Sequence, residues 1–222
     1  MSTFKTTALI LSKRPLKDAD RLYVLYTPDY GKIEAKVRSA ASARSKLAGQ
    51  MEPIALSRLM VARSKGFETI AGAQLIKPYF FSWELSQSLA ALAAELVNIG
   101  IKPGFADPRI FQLLKAFLDS LTRLKNEPIK WRLFALRFIW QFFNLLGYQF
   151  NPQQAKFADL PALSIPSKEL LMNCLKERGQ LTILQSSSKV INELADFTHR
   201  YLRYIFESDL NTYKFCFYGK EF

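Results

Sequence analysis

Cysteine and histidine are nearly absent from this sequence, which holds Cys174, Cys216 and one histidine, His199, in 222 residues. Two cysteines so far apart exclude a disulfide framework, and there is no cysteine cluster to hold a structural zinc. Both thiols read as packing residues, and a lone helical histidine reads as a surface or satisfied core residue. Long apolar runs are missing too. The longest, residues 133–147, falls short of a membrane span and contains Arg137, Gln141 and Asn144. No apolar h-region follows Met1, so the expectation is a cytoplasmic protein with reduced thiols. Paired carboxylates, metal-ligand spacings, a phosphate-binding glycine loop and an activated nucleophile are also wanting. No enzyme, catalytic residue, metal or cofactor is therefore expected. Asp18 and Asp20 have no supporting carboxylate motif and read as turn residues.

Acidic residues are scarcest where basic ones are densest. Between residues 35 and 67 the only acid is Glu52, against Lys36, Arg38, Arg44, Lys46, Arg58, Arg63 and Lys65. The net charge of +12 is uneven: residues 1–78 carry 14 basic and 6 acidic side chains, residues 79–222 carry 17 and 13. The first third has the electrostatic footprint of a polyanion binder.

What is present in that third is strand alternation. Residues 32–38 place Ile33, Ala35 and Val37 on one face and Lys32, Glu34, Lys36 and Arg38 on the other, a half-buried strand with a mainly cationic outer side. Pro28, Asp29, Tyr30 and Gly31 supply turn chemistry before it, so residues 21–27 and 32–38 are predicted to form a hairpin. Further strands are predicted at 6–12, followed by a basic loop at 13–17, and at 54–63 and 68–76, joined by a turn at 64–66. Residues 39–49 lack alternation and read as a mobile loop or a single helical turn. Five short strands in so few residues suggest a small closed barrel of the oligonucleotide-binding (OB) type.

From Ser82 the period becomes helical. Leu85, Leu89, Leu92, Leu96 and Ile99 form one stripe closed by Gly100. Asp107 and Pro108 are N-cap and first-turn residues of a second helix with a stripe through Phe111, Leu114, Phe117 or Leu118, Leu121 and Leu124. Residues 128–146 are apolar nearly all round, which makes that helix central, and Gly147 stops it. Residues 151–165 read as irregular, 167–178 and 188–206 as helices, and the tail 211–222, with Tyr213, Phe215 and Phe217 alternating, as extended. The expectation is an OB-fold DNA-binding domain at 1–78 followed by an all-α helical partner-binding domain at 79–222, with neither repeats nor a low-complexity linker.

These residues resemble the RecO family of bacterial recombination mediator and DNA repair proteins. The likeness is carried by Ala8-Leu9-Ile10-Leu11 with Arg14-Pro15, Asp20-Arg21-Leu22, Leu25-Tyr26-Thr27 with Gly31-Lys32, and Ser45-Lys46-Leu47 followed by Gly49 and Pro53. Glu95-Leu96, Arg137-Phe138 and Leu146-Gly147-Tyr148 continue it, and it thins beyond Tyr148. Two departures stand out: residues 151–165 hold no cysteine where many members have a zinc module, and the glycine often found after the third strand is replaced near Arg38-Ser39. The resemblance implies a non-enzymatic, nucleoid-associated mediator. Such a protein binds single- and double-stranded DNA, anneals complementary strands and, with a RecR-type partner, helps load recombinase on DNA coated by single-stranded-DNA-binding protein.

The sequence's own candidates for phosphate contact are Lys32, Lys36, Arg38, Arg44 and Lys46, with Lys13, Arg14, Lys17, Arg21, Arg63 and Lys65 in support. Tyr23, Tyr26 and Tyr30 are either base-stacking residues or core, since alternation buries one set whatever the function. The acidic C-terminal tail of the single-stranded-DNA-binding protein, implied by the resemblance, asks for an apolar pocket rimmed by arginine. Arg132, Arg137, Phe138 and Trp140 are the candidates, with structural ion pairing and core packing as their alternative roles. A rival function is a protein-interaction adaptor whose barrel lacks useful DNA affinity. No membrane or small-molecule partner is expected.

Overall fold

Strands occupy Thr3–Pro15 (β1), Arg21–Thr27 (β2), Gly31–Val37 (β3), Ala55–Ala62 (β4) and Glu68–Pro78 (β5), and they close into a barrel in the order β1-β2-β3-β5-β4. The predicted OB-type barrel is what forms. The structure is a computed structural model and describes residues 2–42, 45–123, 127–148, 162–176 and 187–218. The helices are Glu84–Gly100 (α1), Pro108–Leu121 (α2), Pro128–Leu145 (α3), Ile165–Leu175 (α4), Ser188–Phe206 (α5) and Asn211–Tyr218 (α6). The chain divides into two compact units, Met1–Phe80 with Val97–Thr122, and Phe81–Leu96 with Arg123–Phe222.

β1 is longer than its apolar core. Its first half pairs with β4, from Thr3 opposite Ala62 to Leu9 opposite Leu56, and its second half pairs with β2, ending with Pro15 opposite Arg21. A register shift between Ile10 and Ser12 lets one strand bend to serve both neighbours. Lys13, Arg14 and Pro15 are therefore strand residues, not the basic loop that the proline suggested.

Ala8, Ile10, Tyr23, Leu25, Ala35, Val37 and Val61 fill the barrel. β2 is buried on both faces, from Leu22 to Thr27. Tyr23 points to the core, while Tyr26 on the other side lies 6.4 Å from the Phe111 ring of α2 and donates its hydroxyl to the Asp107 carbonyl at 3.2 Å. Burial pushes the Tyr26 phenol up to about 12. Of the two roles open to these tyrosines, core packing is the one observed for Tyr23 and Tyr26. Asp107 caps α2 as its sequence indicates, accepting the Arg109 N–H at 2.8 Å.

The segment joining α1 to α2 seats on β3. Gly104 donates to the Lys32 carbonyl at 3.0 Å, and Gly31, at φ +67°, passes so close that a Cβ there would lie 2.2 Å from the Phe105 carbonyl oxygen. β3 pairs with β5 in parallel at only two positions, Ala35 with Glu68 and Lys36 with Thr69. The β3–β4 connection bonds to both β4 and β5. Gln50, in a 3-10 turn at Ala48–Gln50, accepts the Leu75 N–H at 2.9 Å on its side chain and the Ser57 hydroxyl at 2.6 Å on its carbonyl. Met51 follows it into the core. Turns make up the rest of the described part of residues 39–49; Ala43 and Arg44 lie outside the described residues.

In the second unit Trp131, Trp140, Phe142 and Phe143 of α3 are wholly buried, as an all-round apolar helix requires. The Trp140 indole N–H donates to Thr198 of α5 at 3.0 Å and its ring stacks on Tyr201 at 5.1 Å. α5 spans the predicted range, and α4 starts at Ile165 and ends at Leu175; Leu124, Arg178 and residues 151–161 fall outside the described residues. The tail departs from the sequence reading. Residues 211–218 are helical, not extended, because the Glu95 carboxylate accepts the Asn211 and Thr212 N–H groups, each at 3.1 Å, and the helix buries Tyr213, Cys216 and Phe217 on one stripe.

Candidate nucleic-acid interface

Strand pairing sets two of the candidate cations, Arg14 and Lys36, in one cross-strand row. Arg14 of β1 stands opposite Leu22 of β2, Leu22 opposite Lys36 of β3, and Lys36 opposite Thr69 of β5. Arg14 and Lys36 thus flank buried Leu22 on the outer face, whereas Arg21, opposite the core residue Val37, takes the inward register, and Arg38 is exposed just beyond β3. Two turns bracket the row. The β1–β2 turn presents exposed Lys17, and the β4–β5 turn presents exposed Arg63 and Lys65. Strands 2 and 3 and these two loops are the ligand-binding elements of an OB barrel.

Local chemistry holds both turns. Asp18 and Ala19 take φ of 57° and 62° consecutively, and the Asp20 N–H bonds the Lys17 carbonyl at 3.1 Å, the pattern of a type I′ hairpin turn. The Asp20 carboxylate accepts the Ser39 N–H at 2.8 Å, and Ser39 takes φ 50°. In the β4–β5 turn the Glu68 carboxylate accepts the Ser64 N–H at 3.2 Å, and the Arg63 guanidinium lies 5.6 Å from the Phe4 ring. Asp20 and Glu68 are thus bonded to backbone donors, whereas exposed Glu34, two residues from Lys36 on the same side of β3, and exposed Asp18, beside Lys17, stand among cations that outnumber them.

Other candidates are placed differently. Lys32 lies four residues back along β3; its ammonium donates to the Asn98 carbonyl near the end of α1, and burial lowers its pKa. Lys13 shares a level with the core residue Tyr23 and forms an ion pair with Glu52. Lys46 is exposed in the β3–β4 connection, and Arg44 lies outside the described residues. Tyr30 packs its ring 4.1 Å from Phe4 at the edge of the core. One residue that alternation passes over is Phe67, 41% exposed in the β4–β5 turn. Its only signal in the sequence is an aromatic side chain between Gly66 and Glu68, inside a turn.

The N-terminal part of the sequence matches the family described as Recombination protein O N terminal over residues 1–79, and the rest matches Recombination protein O C terminal over residues 86–214. The chain belongs to the RecO family. Among curated relatives, the DNA repair protein RecO of Dehalococcoides mccartyi strain 195 is 32% identical over 139 residues, covering 61% of this chain and 54% of that protein. Its namesake from strain CBDB1 is 37% identical over 121 residues, covering 53% and 47%, and that of Geobacter metallireducens is 28% identical over 153 residues, covering 68% and 61%. The matches span about half to three fifths of the length of these relatives.

In the helical unit of this RecO-family chain, Arg137 donates to the Lys176 carbonyl at 3.0 Å, and Gln141 donates to the same oxygen at 3.3 Å, tying α3 to the end of α4. Arg132 is half-buried, and its buried Nε has no hydrogen-bond partner among the described residues. Phe138 and Trp140 are buried. Burial raises the thiols of Cys174 and Cys216 to about 12, far from thiolate reactivity. Among the described residues no group of three or more His, Cys, Asp or Glu side chains is arranged to hold a metal, and no helix is long and apolar enough to cross a membrane.

Proposed function

We propose that this RecO-family chain is a DNA-binding recombination mediator in DNA repair that holds single- and double-stranded DNA on its barrel and anneals complementary strands without an active site. The observation that carries this reading is the cross-strand row: Arg14 and Lys36, with Arg38 just beyond β3, between turns that add Lys17, Arg63 and Lys65, with Asp20 and Glu68 engaged by backbone N–H groups. Cations so spread contact phosphates without reading bases, which gives salt-sensitive and largely sequence-independent affinity. Annealing asks for no more than that. Two polyanions must be brought together on a surface that screens their repulsion, and held loosely enough to search for register.

In this proposal residues 1–78 are the DNA-binding module and residues 79–222 the partner-binding one. Arg132, with its half-buried guanidinium, and Arg137 then receive the acidic tail of a single-stranded-DNA-binding protein, and a RecR-type partner completes recombinase loading. Lys46 and Arg44 extend the phosphate track beyond β3, whereas Lys32 serves the fold through Asn98.

The test is the rate at which two complementary oligonucleotides anneal, followed by energy transfer between end labels. Wild-type protein is expected to accelerate the reaction, and the Lys36→Ala/Arg38→Ala/Lys65→Ala variant to lose most of that acceleration while keeping its melting temperature. Equal acceleration by both proteins would refute the assignment. Failure of folded wild-type protein to bind DNA at all would favour the adaptor function.

A further inference from the structure

Cations alone do not distinguish one strand from two. Counterion release rewards any phosphate array, so the row of lysines and arginines accounts for DNA affinity but not for a preference between unpaired and paired strands. That preference needs a π-face that bases can reach only when unstacked from their partners. Tyr23 and Tyr26 are fully buried, and Tyr30 packs on Phe4. Phe67 differs from all three.

It sits in the β4–β5 turn, 41% exposed, directly before β5, where its neighbour Glu68 stands level with Ala35, one residue from Lys36. The turn is fixed on both sides of the ring: Ser64 donates its hydroxyl to the Phe67 carbonyl and its N–H to the Glu68 carboxylate. Arg63 and Lys65 belong to the same turn. The backbone beneath the ring is held in this way, beside side chains that draw in phosphates, so a base that stacks there orders the ring's own torsions and little of the chain.

We infer that Phe67 is the base-stacking residue that makes this barrel prefer single-stranded DNA. The inference rests on the DNA-binding reading above and adds a specificity-determining residue to it. A strand tracking Arg14, Lys36 and the β4–β5 turn with its phosphates places an unpaired base on the ring. In a duplex the same base is stacked and paired, so the ring is left with backbone contact only.

The experiment measures the affinity of Phe67→Ala, Phe67→Trp and Lys36→Ala/Arg38→Ala proteins for a labelled single strand and for the corresponding duplex, at one salt concentration and across a salt series. Phe67→Ala is expected to weaken single-strand binding by roughly 5- to 150-fold, the span of one base–aromatic stack, while changing duplex binding less than about twofold and leaving the salt slope unchanged. Phe67→Trp is expected to restore single-strand affinity. Equal losses on both substrates, or no loss in Phe67→Ala while Lys36→Ala/Arg38→Ala binds weakly, would overturn the inference and leave the cationic row standing. Unchanged binding by Lys36→Ala/Arg38→Ala would instead remove the reading on which it rests.

Discussion

Replacing Gly31 with alanine tests how the α1–α2 segment is held on the barrel. Two costs add. A residue with a Cβ at φ +67° pays about 1–2 kcal/mol for the left-handed conformation. The new methyl would also lie 2.2 Å from the Phe105 carbonyl oxygen and 2.7 Å from the Ala106 nitrogen, backbone atoms that can yield only if the segment shifts, and overpacking of that kind costs about 1–3 kcal/mol. Alanine's lower entropy in the unfolded chain returns about 0.4–1 kcal/mol. The net expectation is a loss of about 1–4.5 kcal/mol, read as a lower urea midpoint at unchanged m-value in a circular-dichroism titration. Gly49, with nothing within 4 Å of a built Cβ, is the control, and Gly49→Ala is expected to be neutral or slightly stabilising. A loss below about 1 kcal/mol in Gly31→Ala would show that the segment does not press on β3.

Ala19→Gly and Ser39→Gly, at φ 62° and 50°, are each expected to raise stability by up to about 1 kcal/mol, because a side chain is relieved of the left-handed region; a fall in melting temperature would contradict the turn geometry. Glu95→Ala removes the acceptor for the first N–H groups of α6 and is expected to cost about 0.5–2 kcal/mol, with faster amide exchange confined to residues 211–218. Acid is expected to destabilise the protein through three carboxylates. Asp107 is held below its ordinary 3.8 by the Arg109 side chain; Glu193 is held below 4.5 by the Ser164 N–H and hydroxyl; Asp119 is held below 3.8 because, although burial opposes it, Lys77 and Lys115 together outweigh that. Each binds fewer protons folded than unfolded, so its contribution is complete above the ordinary value and drains away as pH falls through the depressed one. Melting temperatures should therefore hold above pH 4.5 and fall below it, and Asp119→Asn should lessen the fall; a flat acid limb would refute this.

Local pattern carried the barrel. Alternation through Ile33, Ala35 and Val37, the turn at residues 28–31, and the Asp107-Pro108 start each needed only neighbours within a few residues, and each is found in place. What the pattern did not carry was set by partners far along the chain. Residues 22–26 are apolar on both faces, but nothing in them names Asp107 and Phe111 as what covers Tyr26 on the outer side. Tyr213, Phe215 and Phe217 alternate like a strand, yet Tyr213, Cys216 and Phe217 also fit a helix, and the Glu95 carboxylate, 116 residues earlier, decides for the helix. The same holds at the interface. Lys32 and Lys36 are equivalent by alternation and differ only because the Asn98 carbonyl reaches the first. Phe67 was invisible for another reason: exposure in a turn is a property of the folded barrel, and strand periodicity does not extend there.

The central claim, that the barrel binds nucleic acid through the cross-strand row, is tested most directly by the salt dependence of single-strand affinity. Fluorescence anisotropy of a labelled oligonucleotide, titrated across a salt series and competed with unlabelled strands of other sequence, gives the slope of log K against log salt. Wild-type protein is expected to bind with a steep, sequence-insensitive slope. Lys36→Ala/Arg38→Ala/Lys65→Ala is expected to flatten that slope by about 2, at about 0.7 for each phosphate no longer neutralised, while Lys32→Met leaves it unchanged. No binding at low salt by folded protein, or a slope untouched by removal of the three cations, would contradict the account.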